Sequence, residues 1–185
     1  MKTILLSVFI VLSFRPTVLG VEGAAEFVMR WEGFSAEPYA DGAQKSIGYG
    51  TDTRWMEKHG FPTVRISKKE AELALRHRLA IDTVPRLRGR VPNFDSLPPA
   101  VRVALVSAFY NCEALIGPNL RGYIAQGDWD RASYELALGH RPKGRYGLVR
   151  RRFAEANLLR SAHGLAPFAV PKSIAEFHSA KAEWL

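Results

Sequence analysis

The first patterned stretch of the chain is short and amphipathic. Between Gly23 and Trp31, apolar residues recur at spacings of three and four, the stripe of a helix that buries one face. Gly33 is a helix stop, and Pro38 prevents the helix from resuming. Glu32 is therefore predicted to lie at the C-terminal end of a short helix.

The following stretch favours β-structure. From Tyr39 to Thr53, turn-forming residues are mixed with apolar ones, which predicts a short hairpin or a three-stranded ribbon. Within it, Asp41 and Gly42 are placed at a turn and residues 46–49 in a strand.

The remainder of the chain is predicted to be helical. Ser67 followed three residues later by Glu70 is a capping box, which begins a helix over residues 68–83 that Pro85 ends. Residues 86–99 are rich in Pro, Asn and Asp and predict a connecting loop. Four further helices are predicted at residues 99–110, which are apolar on nearly all sides, and at 119–126, 129–138 and 148–162.

These elements predict an α+β fold. A short N-terminal helix and a small β-ribbon lobe precede a larger all-helical lobe, and a cleft between the two lobes would hold a functional site. The 185 residues suffice for one well-cored domain, placed at residues 21–162. Residues 163–185 are a C-terminal extension. The sequence leaves three arrangements possible for it: it wraps the surface, forms a short helix over residues 173–184, or stays mobile.

The charge of the chain limits the classes of molecule that it can bind, and its cysteine content limits the chemistry that it can perform. The net charge of +8 favours polyanions, which include nucleic acid, anionic lipid and the acidic polymers of a bacterial envelope. No recognition-helix or aromatic stacking pattern supports nucleic acid. Cys112 is the single cysteine, and clusters with metal-ligand spacing are absent from the sequence, so no disulfide, metal or cofactor is predicted.

The first twenty residues resemble a secretory signal. Lys2 precedes an apolar run over residues 4–14, and cleavage is predicted after Gly20, which implies export to the periplasm or the exterior. Arg15 and Pro16 stop the run before the roughly 20 apolar residues that a bilayer span needs. Transient membrane anchoring and an upstream start-site extension are the alternatives.

Three residues carry the candidate chemistry. Glu32 and Asp41 lie nine residues apart, and Ser46 follows five residues later, an arrangement suited to acid/base attack on a glycosidic bond. Packing of Glu32 beside Trp31 or Phe34 would favour its protonated form, as a general acid requires. Asp41, in a polar turn, suits the charged partner.

The same residues carry a resemblance to a known family. Residues 31–34 (WEGF), 38–41 (PYAD) and 46–50 (SIGYG) resemble the signature of phage-type lysozymes, the endolysins of glycoside hydrolase family 24. Further similar pieces follow in the family's order at residues 104–111, 127–132 and 147–155, so that the resemblance covers about residues 23–160. The chain departs from the pattern at Ser46, where the family has Thr one position later.

The resemblance implies a lysozyme-like fold and a muramidase. Its substrate would be the β-1,4 bond between N-acetylmuramic acid and N-acetylglucosamine in bacterial peptidoglycan, cut by a monomer for phage host lysis. Glu32 would be the general acid and Asp41 the base or electrostatic partner, while Ser46 would orient the attacking water. Arg151 or Arg152 would approach Glu32 from the last family helix and oppose its protonation.

Two other functions stay open from the sequence. A lytic transglycosylase would use Glu32 alone and would not need Asp41. A non-catalytic, basic envelope-binding protein would instead use the positive residues between 141 and 160, which number seven against the single acid Glu155.

Overall fold

The computed structural model describes residues 23–140 and 145–184. The predicted signal-like segment and its cleavage at Gly20 lie outside these residues. Across the described ranges, no helix has the length and apolar character needed to cross a membrane.

The N-terminal part of the structure is the predicted helix followed by a three-stranded antiparallel sheet. The helix is α1 (Ala24–Glu32), and the strands, paired in the order β1-β2-β3, are β1 (Ser35–Asp41), β2 (Gln44–Gly48) and β3 (Thr51–Asp52). The ribbon is confirmed, although β1 begins four residues earlier than predicted. Pro38 is accommodated in β1 because the register with β2 shifts between Ser35 and Tyr39, where the ladder does not use its missing N–H.

The rest of the described chain is helical. The helices are α2 (Thr53–Lys58), α3 (Lys68–Arg78), α4 (Val84–Arg88), α5 (Pro99–Asn111), α6 (Pro118–Gln126), α7 (Trp129–Leu138), α8 (Tyr146–Ala162) and α9 (Ile174–Trp184). Short 3₁₀ turns occur at Phe94–Ser96 and Glu113–Leu115. The lysozyme-like α+β class predicted from the sequence is therefore confirmed.

The predicted end of the helix that begins at the capping box is wrong. The capping box is present, with the Ser67 amide donating to Glu70 Oε2 at 2.8 Å, and α3 begins at Lys68 as expected. Pro85 does not end the helical path, because α3 passes into a π-helical turn, Leu79–Thr83, that leads directly into α4. Pro85 lies in the first turn of α4, where its missing N–H costs little.

The core forms around α5. Eight of its residues are buried, on all sides of the helix: Val101, Val103, Ala104, Leu105, Val106, Ser107, Ala108 and Phe109. Each large apolar side chain buried here stabilises the fold by about 1.5–3 kcal/mol relative to an exposed one. A smaller cluster under the sheet joins Ile47 and Met56 to Ala71 and Ala74 of α3. The core therefore connects the helices and attaches the sheet to them.

The C-terminal extension packs against this core. Phe177 of α9 is fully buried, and the Tyr146 hydroxyl donates to the Pro171 carbonyl at 2.7 Å. Asn157 of α8 exchanges two hydrogen bonds with the Phe168 backbone, at 3.1 and 2.8 Å. Of the three arrangements that the sequence left possible for the extension, the structure shows the short helix, α9.

Candidate active site

Glu32 ends α1 beside a buried arginine. Gly33 follows with φ of 71°, a left-handed backbone that favours glycine and turns the chain away from the helix axis. Arg151 of α8 places Nη1 2.6 Å from Glu32 Oε1, although 119 residues separate the two in sequence. The arginine side chain is 3% exposed and the Glu32 side chain 18%, so the carboxyl group lies at the rim of the interior.

A buried polar network holds Arg151 in place. Its Nε donates to Glu155 Oε1 at 3.1 Å, and its Nη2 donates to the Ser107 carbonyl at 3.1 Å. The Ser107 hydroxyl donates to the same Glu155 oxygen at 2.6 Å. Because these groups come from α5 and α8, the orientation of the guanidinium group toward Glu32 is fixed by the core of the helical lobe.

The second candidate partner of Glu32 makes different contacts. Arg152 lies 2.8 Å from Glu155 Oε2 and donates to Asn111 Oδ1 at 3.2 Å. Burial lowers the pKa of Arg152 to about 10, while the charge of Glu155 opposes this shift. Burial also raises the pKa of Glu155, and the guanidinium groups of Arg152 and Arg151 oppose that rise. Of the two predicted arginines, Arg151 therefore contacts Glu32, and Arg152 supports Glu155.

The second oxygen of Glu32 faces a glycine turn. A Cβ atom on Gly50 would lie 3.3 Å from Glu32 Oε2, and the φ of Gly50 is +76°, so both space and backbone favour glycine there. The Tyr110 hydroxyl donates to the Tyr49 carbonyl at 2.9 Å, and the Arg78 guanidinium lies 4.9 Å from the centre of the Tyr110 ring. The helical lobe thus holds the turn against the Glu32 carboxyl.

Asp41 and Ser46 are joined by a hydrogen bond across the first two strands. Asp41 is exposed at the end of β1, whereas Ser46 is fully buried in β2. The Ser46 hydroxyl donates to Asp41 Oδ2 at 3.0 Å and accepts from Gln44 Nε2 at 3.2 Å. The hydroxyl hydrogen is thus directed at the carboxylate. Although the loop from Asp41 to Ser46 is one residue shorter than in the family pattern, Ser46 still reaches Asp41. The role of Ser46 in orienting water stays a prediction.

Tyr39 was not identified as a site residue from the sequence. It lies two residues before Asp41 in β1, so the two side chains share a face of the strand, and it pairs with Ser46 of β2. Burial raises the pKa of the Tyr39 phenol, and the negative charges of Asp41 and Glu32 raise it further. The phenol therefore lies in the field of both carboxylates. The spacing of two residues from Asp41 in a predicted strand was the available signal.

Removing the Ser46 hydroxyl should weaken catalysis without unfolding the protein. In Ser46→Ala, Asp41 loses a charge-assisted hydrogen bond, and we expect kcat/KM on peptidoglycan to fall about tenfold. Ser35→Ala is the matched control, because the Ser35 hydroxyl donates only to the exposed Glu37 carbonyl in β1. Equal activity of the two variants would show that the contact with Asp41 has no catalytic effect.

The described residues were also compared with the requirements of a metal site. Within residues 23–140 and 145–184, no three His, Cys, Asp or Glu side chains are grouped closely enough to hold an ion. The arrangement offers two carboxyl groups, a hydroxyl group and a buried guanidinium group, which are sufficient for proton transfer at an ether oxygen.

Solved structures share this fold. The muramidase domain of SpmX from Asticaccaulis excentricus is 21% identical and superposes with a TM-score of 0.61, over 76% of this chain and 96% of that one. The active form of the P1 phage endolysin Lyz is 20% identical with a TM-score of 0.60, over 77% and 86% of the two chains. An endolysin from the Escherichia coli O157:H7 phage FAHEc1 is 23% identical with a TM-score of 0.57, over 76% and 92%.

Sequence comparison gives the family. No curated protein matches the chain. The family model described as phage lysozyme matches residues 29–155, which is more than half of the chain. The matched range includes Glu32, Asp41, Ser46 and Arg151. The chain therefore belongs to the phage lysozyme family.

Proposed function

We propose that Glu32 and Asp41 perform the chemistry of this lysozyme. As a member of the phage lysozyme family, the protein is a peptidoglycan-hydrolysing muramidase. The observation that carries the assignment of residues is the asymmetric setting of Glu32, whose Oε1 is bound by Arg151 while Oε2 faces the Gly50 turn. One oxygen is thus fixed to the protein, and the other is left to transfer a proton.

In the proposed reaction, Glu32 is the general acid. The proton on Oε2 passes to the glycosidic oxygen, and the bond from that oxygen to the anomeric carbon breaks, its electron pair remaining on the oxygen. Arg151 holds the carboxyl group in one orientation and stabilises the carboxylate that the transfer leaves behind.

Asp41 acts on the other product of bond cleavage. Positive charge develops at the anomeric carbon, and the Asp41 carboxylate stabilises it. The oxygen of the attacking water forms the new bond to this carbon, and Asp41 accepts the proton that the water loses. Ser46 holds the carboxylate through its hydrogen bond to Oδ2, which limits rotation of the Asp41 side chain.

The contacts of the basic stretch argue against an envelope-binding function alone. Of its seven cationic residues, Arg151, Arg152 and Arg160 are buried and paired with carboxylates, so they hold α8 in the fold. We propose that the enzyme acts as a monomer in phage host lysis and reaches the wall by export through its N-terminal segment. The net charge, +8 for the whole chain and +6 once Lys2 and Arg15 are removed with residues 1–20, would add weak, salt-sensitive attraction to the anionic envelope.

The experiment that tests this function uses purified peptidoglycan. We expect the wild-type enzyme to reduce its turbidity and to release fragments with new reducing ends, measured by borohydride reduction and mass spectrometry. Fragments ending in 1,6-anhydro sugar would identify a transglycosylase. Clearing of whole cells without any release of fragments would identify a non-catalytic, membrane-disrupting protein.

Asp41→Asn separates the two enzymatic mechanisms. The amide cannot accept a proton from water, so we expect kcat/KM for the release of reducing ends to fall by about 10²-fold or more. Asp95→Asn is the control, because Asp95 is a surface partner of Arg88 in the helical lobe. Retention of wild-type turnover by Asp41→Asn would contradict its proposed role.

A further inference from the structure

The Tyr39 hydroxyl group and Glu32 Oε2, the carboxyl oxygen that Arg151 does not contact, both lie near Gly50. A Cβ atom on Gly50 would lie 3.9 Å from Tyr39 Oη and 3.3 Å from Glu32 Oε2. The phenol and the carboxyl group therefore approach the same glycine. A side chain at this position would fill the space that they share.

Tyr39 is a partly exposed residue whose hydroxyl group is not used to hold the fold within the part of the chain that the structure describes. The residue is 38% exposed, and among the described residues its hydroxyl makes no hydrogen bond to a protein group. Tyr110 is a contrast within the same site, since its hydroxyl donates to the Tyr49 carbonyl and supports the turn. The Tyr110 hydroxyl thus stabilises the fold, whereas the Tyr39 hydroxyl remains available to a bound molecule.

The charges around Tyr39 define what it can bind. Burial, and then the negative charges of Asp41 and Glu32, raise the pKa of the Tyr39 phenol, which therefore keeps its O–H hydrogen across the neutral pH range. A saccharide placed between the two carboxyl groups carries hydroxyl, ether and amide oxygens, all of which accept a hydrogen bond. A saccharide bound between the two carboxyl groups would therefore meet a neutral hydrogen-bond donor in Tyr39.

We propose that Tyr39 contacts the substrate and donates a hydrogen bond to a saccharide oxygen next to the bond that Glu32 protonates. This inference rests on the proposed function, because it places the scissile bond between Glu32 and Asp41. The hydrogen bond orients the sugar relative to Glu32 Oε2, so its loss affects catalysis more than folding.

Tyr39→Phe tests the inference, because it keeps the ring and removes only the hydroxyl group. We expect kcat/KM on purified peptidoglycan to fall about tenfold, with an unchanged thermal midpoint and an unchanged pH of maximum activity. Tyr123→Phe, on α6 and packed against the main core, is the matched control and should retain wild-type activity.

The results for the wild type and for Tyr39→Phe distinguish failure of this inference from failure of the proposed function. If the wild-type enzyme releases reducing ends and Tyr39→Phe does so within twofold of its rate, the substrate contact is wrong and the muramidase assignment stands. A shifted pH of maximum activity, with full kcat/KM at that pH, would mean that the hydroxyl acts on the carboxyl groups, and would also overturn the contact. A lower thermal midpoint, with activity restored on cooling, would reduce Tyr39 to a structural role. If the wild type releases no fragments, the proposed function itself fails.

Discussion

Glu32→Gln is expected to abolish peptidoglycan hydrolysis while leaving the protein folded. The amide matches the carboxyl group in size and can still accept a hydrogen bond from Arg151 through its oxygen, but it has no acidic proton to give to the glycosidic oxygen. General acid catalysis contributes about 10²–10⁴-fold, so we expect kcat to fall by at least about 10²-fold.

The fold should tolerate this change because Arg151 keeps its other partners. Its Nε remains on Glu155 and its Nη2 on Ser107, so the guanidinium group is not left without a counter-charge. Circular dichroism and the thermal midpoint should therefore match those of the wild type within a few degrees.

Glu26→Gln is the matched control for Glu32→Gln. Glu26 lies on the same helix and is also paired with an arginine, Arg76, but this pair is on the surface. Both variants lose one carboxylate from α1, so a difference in their activity is caused by the position of Glu32 in the site and not by the loss of a charge from the helix. If Glu32→Gln kept more than a tenth of wild-type turnover, the general acid would be another group.

The positions of Glu32 and Asp41 in the fold could be predicted from the sequence because the two residues are close in the chain. Glu32 ends a helical stripe, and Asp41 precedes a turn at Gly42, so local patterns alone place both on neighbouring elements. Their order and spacing then gave the family. The same local reasoning predicted the bounds of α7 and the cap of α3, both of which the structure confirms.

The parts that could not be predicted depend on contacts distant in sequence. Nothing local to Arg151 and Arg152 shows which of them reaches Glu32, since that depends on how α8 is rotated against α5. The π-helical turn before Pro85 was missed because the pattern rules assume that proline ends a helix. Tyr39 was overlooked because its relation to Glu32 depends on the fold of the Gly50 turn.

Glu155 is the second position where a large effect is expected, on stability rather than on chemistry. Its side chain is fully buried between Arg151 and Arg152, which are 3% and 1% exposed. Glu155→Gln would leave Arg151 with Glu32, at the rim, as its remaining ion-pair partner, and would remove the carboxylate that Arg152 pairs with among the described residues. Breaking a buried ion pair by removing one partner costs about 3–5 kcal/mol.

This loss is a large part of the free energy of unfolding of a typical domain, about 5–15 kcal/mol. We expect the thermal midpoint to fall by about 10 °C or more and the midpoint of urea unfolding to fall with it. Glu72→Gln is the matched control, since Glu72 also pairs with an arginine four residues along a helix, Arg76, but at the surface. Such exposed pairs contribute about 0–1 kcal/mol, so the control should change the midpoint little.

A double variant tests whether charge imbalance is the cause. Glu155→Met with Arg152→Met removes one buried charge of each sign and leaves Arg151 paired with Glu32. Because buried ion pairs are often replaced by apolar side chains of similar size without loss of stability, we expect this variant to recover most of the lost thermal midpoint. If the double variant were no more stable than Glu155→Gln, the defect would lie in packing or in the hydrogen bond from Ser107 rather than in charge. Activity supplies a second readout, since Arg151 still contacts Glu32 in the double variant, which should hydrolyse peptidoglycan at the wild-type rate at temperatures where it is folded.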